Sequence, residues 1–349
     1  MAQTSARRPE GLCGNWLAWP FRKQWIYGRS VADVALNGAA TKRLSIWAVV
    51  VAAVAAASWS SVASLGLLGW DPHYYYSLMV EGTWAEVYPF EQTMFRLVGV
   101  FRPSSFASYE FIVVVMSLSV LLLALYRLEY SRLDQLILLF FFSFSFYGLH
   151  FLLTFHRQFF GLVFFLLAIS GGKRFFLARI LSLFSQLFTF TLHVFWELRR
   201  LSARAAAALV LAMIPVAVAF ANWLPNDKAA TYGDYGASNS THLILRQALT
   251  LVFCILVLAT VERGKNPLRS LTAAYIAFSL PVLVWPFYAG VFVRVDYFFF
   301  PLIVALWPRH VRPERRRLCR LSIVALTVVG LVLWMRLNTQ CLIMGDCEI

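Results

Sequence analysis

Apolar runs of about 20 residues recur along the whole chain, and they constrain its fold more than any other feature. A helix of that length crosses the hydrocarbon core of a bilayer. Only 14% of the residues are charged, whereas soluble domains average about 25%. We therefore predict an all-α polytopic membrane protein with about 9–11 transmembrane helices. The predicted spans cover residues 44–68, 108–126, 133–152, 158–171, 204–223, 244–261, 270–288, 295–308 and 319–337.

The apolar segment 175–198, with 24 residues, is too short to cross a bilayer twice. We expect a short re-entrant helix pair there, which enters the membrane from the cytoplasm and returns to it. With the N-terminus in the cytoplasm, 24 of the 31 Lys and Arg residues then lie on the cytoplasmic side, as the positive-inside rule requires. The net charge of +14 is thus an orientation signal, and we expect no nucleic-acid partner.

This topology divides the chain into a cytoplasmic N-terminal segment, a membrane domain and a short tail on the outer side. The segment 1–43 is basic and polar, so we expect no cleavable signal peptide there. A single transmembrane domain follows over 44–338, and the periplasmic tail is 339–349. Two large outer loops are expected at 69–107 and 224–243, and the second is rich in Gly, Ser, Asn and Tyr, as a mobile lid would be.

Arg157, Arg246 and Arg294 lie at the edges of apolar spans on the outer side, which carries few basic residues. An Arg at a helix centre costs about 2.5–3.5 kcal/mol on insertion scales, and less near the interface. Each of these residues alone is compatible with a snorkelling side chain. Three on one side favour a shared anion site, because a guanidinium binds phosphate through parallel hydrogen bonds and stays charged. We predict that all three bind a diphosphate.

The outer and re-entrant segments also supply candidates for acid–base chemistry. Asp71 is the first candidate for a general base or a ligand of the acceptor sugar, Glu91 is the second, and His193 is the third. The alternatives are solvated loop charge for the two acids and a structural role for the histidine. The chain has no metal-ligand motif, so we expect no metal. Candidate sugar-binding residues are Tyr74, Tyr75 and Gln158, although aromatic residues also form interfacial belts.

Five stretches of the chain follow one another in the order of motifs found in a known family. They are WDPHYYYSLMV (70–80), FEQTMFRLVGVF (90–101), HRQFFGLVFFLLAI (156–169), GGKRFFLARILSLFSQLFTFTLHVF (171–195) and VRVDYFFFPLIVALWP (293–308). Together they resemble the EpsG-type exopolysaccharide polymerases, which are relatives of the Wzy O-antigen polymerases. The chain departs from that pattern at Gln92, where the family has Pro, and at Phe195, where it has Ser.

The resemblance implies a GT-C-like glycosyltransferase of the bacterial inner membrane, with its active site facing the periplasm. Such an enzyme transfers a growing glycan from undecaprenyl diphosphate onto a lipid-linked repeat unit, and it needs no metal or other cofactor. Its implied partners are undecaprenyl-diphosphate-linked oligosaccharides, membrane lipids and a chain-length regulator. Two alternatives stay open: an O-antigen ligase or another lipid-linked glycosyltransferase, and a transporter or flippase for the same lipid-linked sugars. A transporter would show repeated halves and polar residues at mid-membrane.

Overall fold

The computed structural model describes residues 44–64, 70–81, 93–153, 156–171, 175–185, 189–221, 240–262, 266–283 and 286–344 of the 349-residue chain. These residues all belong to one compact unit, Lys42–Ile349. They are almost entirely helical and contain no strand, apart from an isolated bridge between Val261 and Val311. The predicted all-α class is therefore confirmed for this part of the chain.

The helices follow the apolar runs. In chain order they are α1 (Ile46–Ser64), α2 (Trp70–Glu81), α3 (Thr93–Gly99), α4 (Phe106–Arg127), α5 (Arg132–Phe144), α6 (Phe146–Leu153), α7 (His156–Gly171), α8 (Phe176–Leu183), α9 (Thr189–Glu197), α10 (Ala203–Ala221), α11 (Ser240–Thr260), α12 (Pro267–Ser279), α13 (Pro286–His310) and α14 (Arg316–Met344). The predicted outer loop 69–107 is thus partly helical, since it contains α2 and α3. Most of the predicted lid, 224–243, lies outside the described residues.

Each of the predicted spans overlaps one or more of these helices. Among the described residues, two stretches are long and apolar enough to cross a membrane by themselves, Phe106–Arg127 and Pro313–Met335. The bent pair formed by α5 and α6 is a third if it counts as one span. These helices are consistent with an all-α membrane protein, and the predicted total of about 9–11 transmembrane helices stays a prediction.

The predicted span 133–152 differs from a straight helix because the chain bends by 64° between α5 and α6. Ser145 adopts an extended conformation (φ −74°, ψ 166°) at the end of α5. Its hydroxyl accepts a hydrogen bond from the Gly148 amide at 3.1 Å, so the same residue caps the start of α6. Gly148 leaves room for the turn, since a Cβ there would lie 2.4 Å from the Phe142 carbonyl oxygen.

The segment 175–198 folds largely as two short helices, as the sequence predicts, because α8 has 8 residues and α9 has 9. Both pack against α7. A Cβ on Gly161 of α7 would lie 2.1 Å from Cγ2 of Thr189 on α9, so only glycine permits this approach. The Ser182 hydroxyl of α8 also donates to the Gly161 carbonyl at 2.8 Å. That this pair enters the membrane from the cytoplasm stays a prediction.

Helix α7 is buried on nearly every side, and this sets it apart from a surface helix with one apolar stripe. Phe159, Phe160, Phe164 and Phe165 all lie in the protein interior. The helix contacts α4, α6, α8, α9 and α13. Its first residues, His156 and Arg157, are therefore held by packing on several sides, and they mark the site described next.

Candidate functional site

Five polar side chains from three helices meet where α7 begins, and we call them the Arg157 cluster. Helix α7 contributes His156 and Arg157, α4 contributes Tyr109 and Glu110, and α2 contributes Tyr75. Ser105 positions the α4 residues because it caps that helix in a reciprocal capping box with Ser108. The cluster thus joins one residue of the predicted outer loop to the two helices behind it.

Glu110 and His156 form a fully buried pair at the centre of the cluster. The His156 Nε2 atom lies 3.3 Å from the Glu110 Oε2 atom, and neither side chain has any exposed surface. The contact has the distance of an ion pair but not the angles of a hydrogen bond, so we treat the attraction as electrostatic. Carboxylates are rarely buried in helices unless they have such a partner.

The hydrogen bonds of His156 indicate which ring nitrogen carries its proton. Nε2 lies 2.9 Å from the carbonyl oxygen of Leu152, which can only accept, so Nε2 is the protonated nitrogen. Nδ1 lies 3.5 Å from the Tyr109 hydroxyl, which donates to it when the imidazole is neutral. In the neutral imidazole Nδ1 is therefore the nitrogen without a proton.

Arg157 is half-buried and is held by the ring of Tyr75. Its Nη2 atom donates to the Tyr75 hydroxyl at 3.1 Å, and its guanidinium carbon lies 4.7 Å from the ring centroid. The same ring packs edge-on against Phe95 with 5.7 Å between the centroids. A cation over an aromatic face is attracted by the ring quadrupole while it keeps its charge. The sequence predicted separate roles for Arg157 and Tyr75, and the structure brings the two together.

Arg246 belongs to a second buried group, which we call the Asp296 network. Its guanidinium forms an ion pair with Asp296 and lies 5.1 Å from the ring centroid of Tyr297. The Tyr147 hydroxyl donates to Asp296 at 2.8 Å, and the Tyr275 hydroxyl donates to the other carboxylate oxygen. Asp296 thereby joins α6, α11, α12 and α13. Its charge balances that of Arg246, whose side chain is 14% exposed, and the role of Arg246 at a diphosphate stays a prediction.

His193 has a structural partner on the neighbouring short helix. Its Nε2 atom lies 3.2 Å from the Ser182 hydroxyl, and its ring packs edge-on against Phe165 with 4.8 Å between the centroids. These contacts agree with the structural role that the sequence left open, and they leave its catalytic role untested.

The other predicted site residues are less well defined. Asp71 lies on α2 and Arg294 lies on α13, but their side chains are outside the described residues, as is the whole of Glu91. Tyr74 is exposed and its ring centroid lies 6.0 Å from that of Tyr75. Gln158 is 3% exposed, and its Oε1 atom accepts no hydrogen bond from the described residues.

Sequence reasoning missed Glu110 and Asp296, although each had a visible signal. Glu110 is the one acid in the predicted span 108–126, and Asp296 is the one acid in the predicted span 295–308. An acid inside an apolar helix indicates a functional site or a buried partner. Among the described residues, no group of three or more His, Cys, Asp or Glu side chains is placed to hold a metal ion.

Comparison of the chain with protein-family models, with curated proteins and with solved structures gives no match.

Proposed function

We propose that the chain is a GT-C-like membrane glycosyltransferase of the polysaccharide polymerase type, acting at the outer face of the bacterial inner membrane. The observation that carries the proposal is the Arg157 cluster. It sets a guanidinium, held on an aromatic ring, beside a buried Glu110–His156 pair at the start of an apolar helix. An arginine at the start of an apolar helix suits a lipid-linked diphosphate, because that ligand joins an anionic head to an apolar tail. The order of the five sequence motifs supports the same class.

In the proposed reaction a hydroxyl of the acceptor repeat unit attacks the anomeric carbon of the donor glycan. A base removes the hydroxyl proton, and the bond from the anomeric carbon to the diphosphate oxygen breaks. The electron pair of that bond stays on undecaprenyl diphosphate, which leaves with an additional negative charge. Arg157 stabilises this charge, because a preorganised cation in a site of low dielectric acts most strongly where charge develops.

The roles of the acidic groups follow from their burial. Glu110 and His156 have no exposed surface, so an acceptor hydroxyl cannot touch them in this structure. We assign them a positioning role, in which they fix the start of α7, the helix that carries Arg157. The base is then one of the outer carboxylates that the sequence proposed, Asp71 first and Glu91 second.

Reconstitution tests the proposal directly. Purified protein in liposomes receives undecaprenyl-diphosphate-linked repeat units on the side of the membrane that corresponds to the proposed outer face. The products are then separated on a gel. A ladder of glycans supports a polymerase, and a single addition indicates a ligase or another transferase. Arg157→Ala should abolish the ladder, whereas Arg317→Gln, which removes an exposed Arg from α14, should keep it. The absence of any glycosyl transfer by folded wild-type protein would contradict the proposal.

A second candidate, a transporter for lipid-linked sugars, is favoured by one observation. Asp296 lies near the middle of the 25-residue helix α13 and forms a buried ion pair with Arg246. Ionisable residues inside membrane helices often mark substrate or proton paths. The same liposomes distinguish the two candidates. Movement of lipid-linked repeat units between leaflets without any change in glycan length would indicate the transporter.

A further inference from the structure

A pocket next to the Arg157 cluster has the composition of a site for an anionic lipid. It has a volume of about 560 Å³ and is lined by side chains of α2, of α3 and of the turn that follows α3. Two of its residues are the arginines Arg96 and Arg102, both exposed, and the others are apolar or glycine. The lining residues are Met79, Val80, Phe95, Arg96, Gly99, Arg102 and Pro103.

The surface around the pocket is apolar. Val80 is 61% exposed, Val100 is 76% exposed and Phe101 is 59% exposed. Exposed aliphatic and aromatic side chains of this size are expected where a membrane protein meets lipid tails. The two arginines therefore border an exposed apolar surface, and a ligand that contacts both needs an anionic group and an apolar part.

The backbone holds Arg102 in an unusual conformation. After α3 the amides of Phe101 and Arg102 bond to the carbonyls of Val98 and Gly99 at 3.0 and 3.1 Å, and Pro103 then prevents the helix from continuing. Arg102 itself has a φ of 46°, in the left-handed region that favours glycine. A long cationic side chain stands where glycine would be easier to accommodate, as is seen at sites where function maintains a strained residue.

The pocket and the Arg157 cluster share a wall. Phe95 lines the pocket and packs against the ring of Tyr75, and that ring holds Arg157. Met79, another lining residue, lies four positions after Tyr75 on α2 and therefore on the same helix face. A ligand in the pocket would lie next to one bound at Arg157, separated from it by a layer of aromatic side chains.

We propose that this pocket binds the phosphate or diphosphate head of a polyprenyl-linked lipid, separate from the one at Arg157. Arg96 and Arg102 contact the head, and the tail follows the apolar surface beside Val80 and Phe101. The inference rests on the proposed function, because a polymerase must bring two lipid-linked substrates together. The pocket supplies the second headgroup site, and the shared wall keeps the two lipids adjacent.

Equilibrium dialysis of the purified protein in detergent tests the proposal with three probes. Farnesyl diphosphate carries head and tail, inorganic diphosphate carries the head alone, and farnesol carries the tail alone. The wild-type chain should bind two farnesyl diphosphates. The double variant Arg96→Gln/Arg102→Gly should bind only one, with about tenfold or greater weakening at the lost site, since each bond to a charged group contributes strongly. Glycine suits the backbone of residue 102, so this variant should elute and unfold like the wild type.

The variants separate this inference from the function on which it rests. Arg157→Ala should lose the other farnesyl diphosphate, and Arg317→Gln should still bind two. If the double variant still binds two molecules of farnesyl diphosphate as tightly as the wild type does, the pocket proposal is overturned while the Arg157 site stands. If Arg157→Ala still binds two and the double variant binds one, the pocket stands and the proposed function loses its support. Inorganic diphosphate that binds the pocket as tightly as farnesyl diphosphate would overturn the assignment to a lipid, and farnesyl diphosphate that binds the pocket no more tightly than farnesol would overturn the assignment of the arginines to its head.

Discussion

At the scale of single residues, Arg157 and Arg246 show how differently two arginines at span edges can be used. Arg246 forms an ion pair with Asp296 inside the protein, so its charge is balanced by the fold. Arg157 is held by the hydroxyl and the ring face of Tyr75, which position the guanidinium without cancelling its charge. Both guanidinium groups are therefore oriented before any ligand binds, one by a carboxylate and the other by an aromatic ring.

Replacement of Arg157 should abolish polymer formation and leave the protein in place. We expect that neither Arg157→Ala nor Arg157→Lys makes glycan beyond one repeat unit, because loss of a donor aimed at developing charge costs about 10²–10³ in rate. Lysine should not rescue, since it lacks the planar fork that stacks on Tyr75 and binds phosphate. The measurement is complementation of a polymerase-null strain, with a glycan gel and a blot for protein. Full-length glycan at normal protein level would remove Arg157 from the site.

The buried pair of Glu110 and His156 should be energetically coupled. A double-mutant cycle with Glu110→Gln, His156→Gln and the double variant isolates the term between them, because residues in direct contact commonly show about 0.5–3 kcal/mol of coupling. We expect each single change to lower the free energy of unfolding, and the double change to cost less than the sum of the two. Thermal unfolding in detergent measures this. Additive effects would mean that the 3.3 Å contact contributes no net interaction.

At the scale of helices, the sequence predicted the positions of elements better than their interruptions. The apolar run 133–152 reads as one span because no proline interrupts it, yet the chain bends at Ser145. The cause is tertiary. The Trp59 indole of α1 donates to the Ser143 carbonyl at 3.3 Å, and a Cβ on Gly330 of α14 would lie 2.7 Å from the Phe146 backbone nitrogen. Contacts with helices distant in the chain stabilise the bend, and such contacts cannot be predicted from hydrophobic periodicity.

The same limit explains which parts of the site could be predicted. Arg157 was visible because it breaks the positive-inside pattern, which is a property of the sequence alone. The neighbours of Arg157 on α4 could not be predicted in this way, because contacts between helices depend on tertiary packing, which a single sequence does not show. Glu110 and Asp296 carried a local signal as lone acids in apolar runs, but only the structure identified His156 and Arg246 as their partners.

The contact between α7 and α9 should be sensitive to one methyl group. Gly161→Ala places a Cβ 2.1 Å from Thr189 Cγ2, so the helices must separate or Thr189 must rotate. Overpacking of this kind commonly costs about 1–3 kcal/mol. We expect a lower unfolding temperature for Gly161→Ala, partly restored in Gly161→Ala/Thr189→Ser, which removes the opposing methyl. Gly99→Ala is the matched control, because a Cβ there meets nothing within 4 Å. An unchanged unfolding temperature for Gly161→Ala would contradict the close contact.

At the scale of the whole molecule, the Asp296 network connects helices that are far apart in the chain. Tyr147, Arg246 and Tyr275 reach Asp296 from α6, α11 and α12, and α13 carries the carboxylate itself. The bonds are made inside the protein, where an unpaired charge is expensive. The network therefore links α11, α12 and α13 to α6, which directly precedes the Arg157 helix α7 in the chain.

Removal of one charge from this network should be far worse than removal of all its polar groups. Asp296→Leu leaves Arg246 buried and uncompensated, which typically costs about 3–5 kcal/mol, so we expect little folded protein in the membrane. The quadruple variant Asp296→Leu/Arg246→Met/Tyr147→Phe/Tyr275→Phe has an apolar side chain at all four positions. It should therefore recover most of the folded protein that Asp296→Leu loses. Fluorescence-detected size exclusion measures the folded fraction. A quadruple variant no better than Asp296→Leu would mean that the network does more than balance charge.

If the quadruple variant folds, its glycan gel then tests Arg246. A normal ladder of glycans would exclude Arg246 from diphosphate binding, whereas folded protein without a ladder would support the role that the sequence predicts.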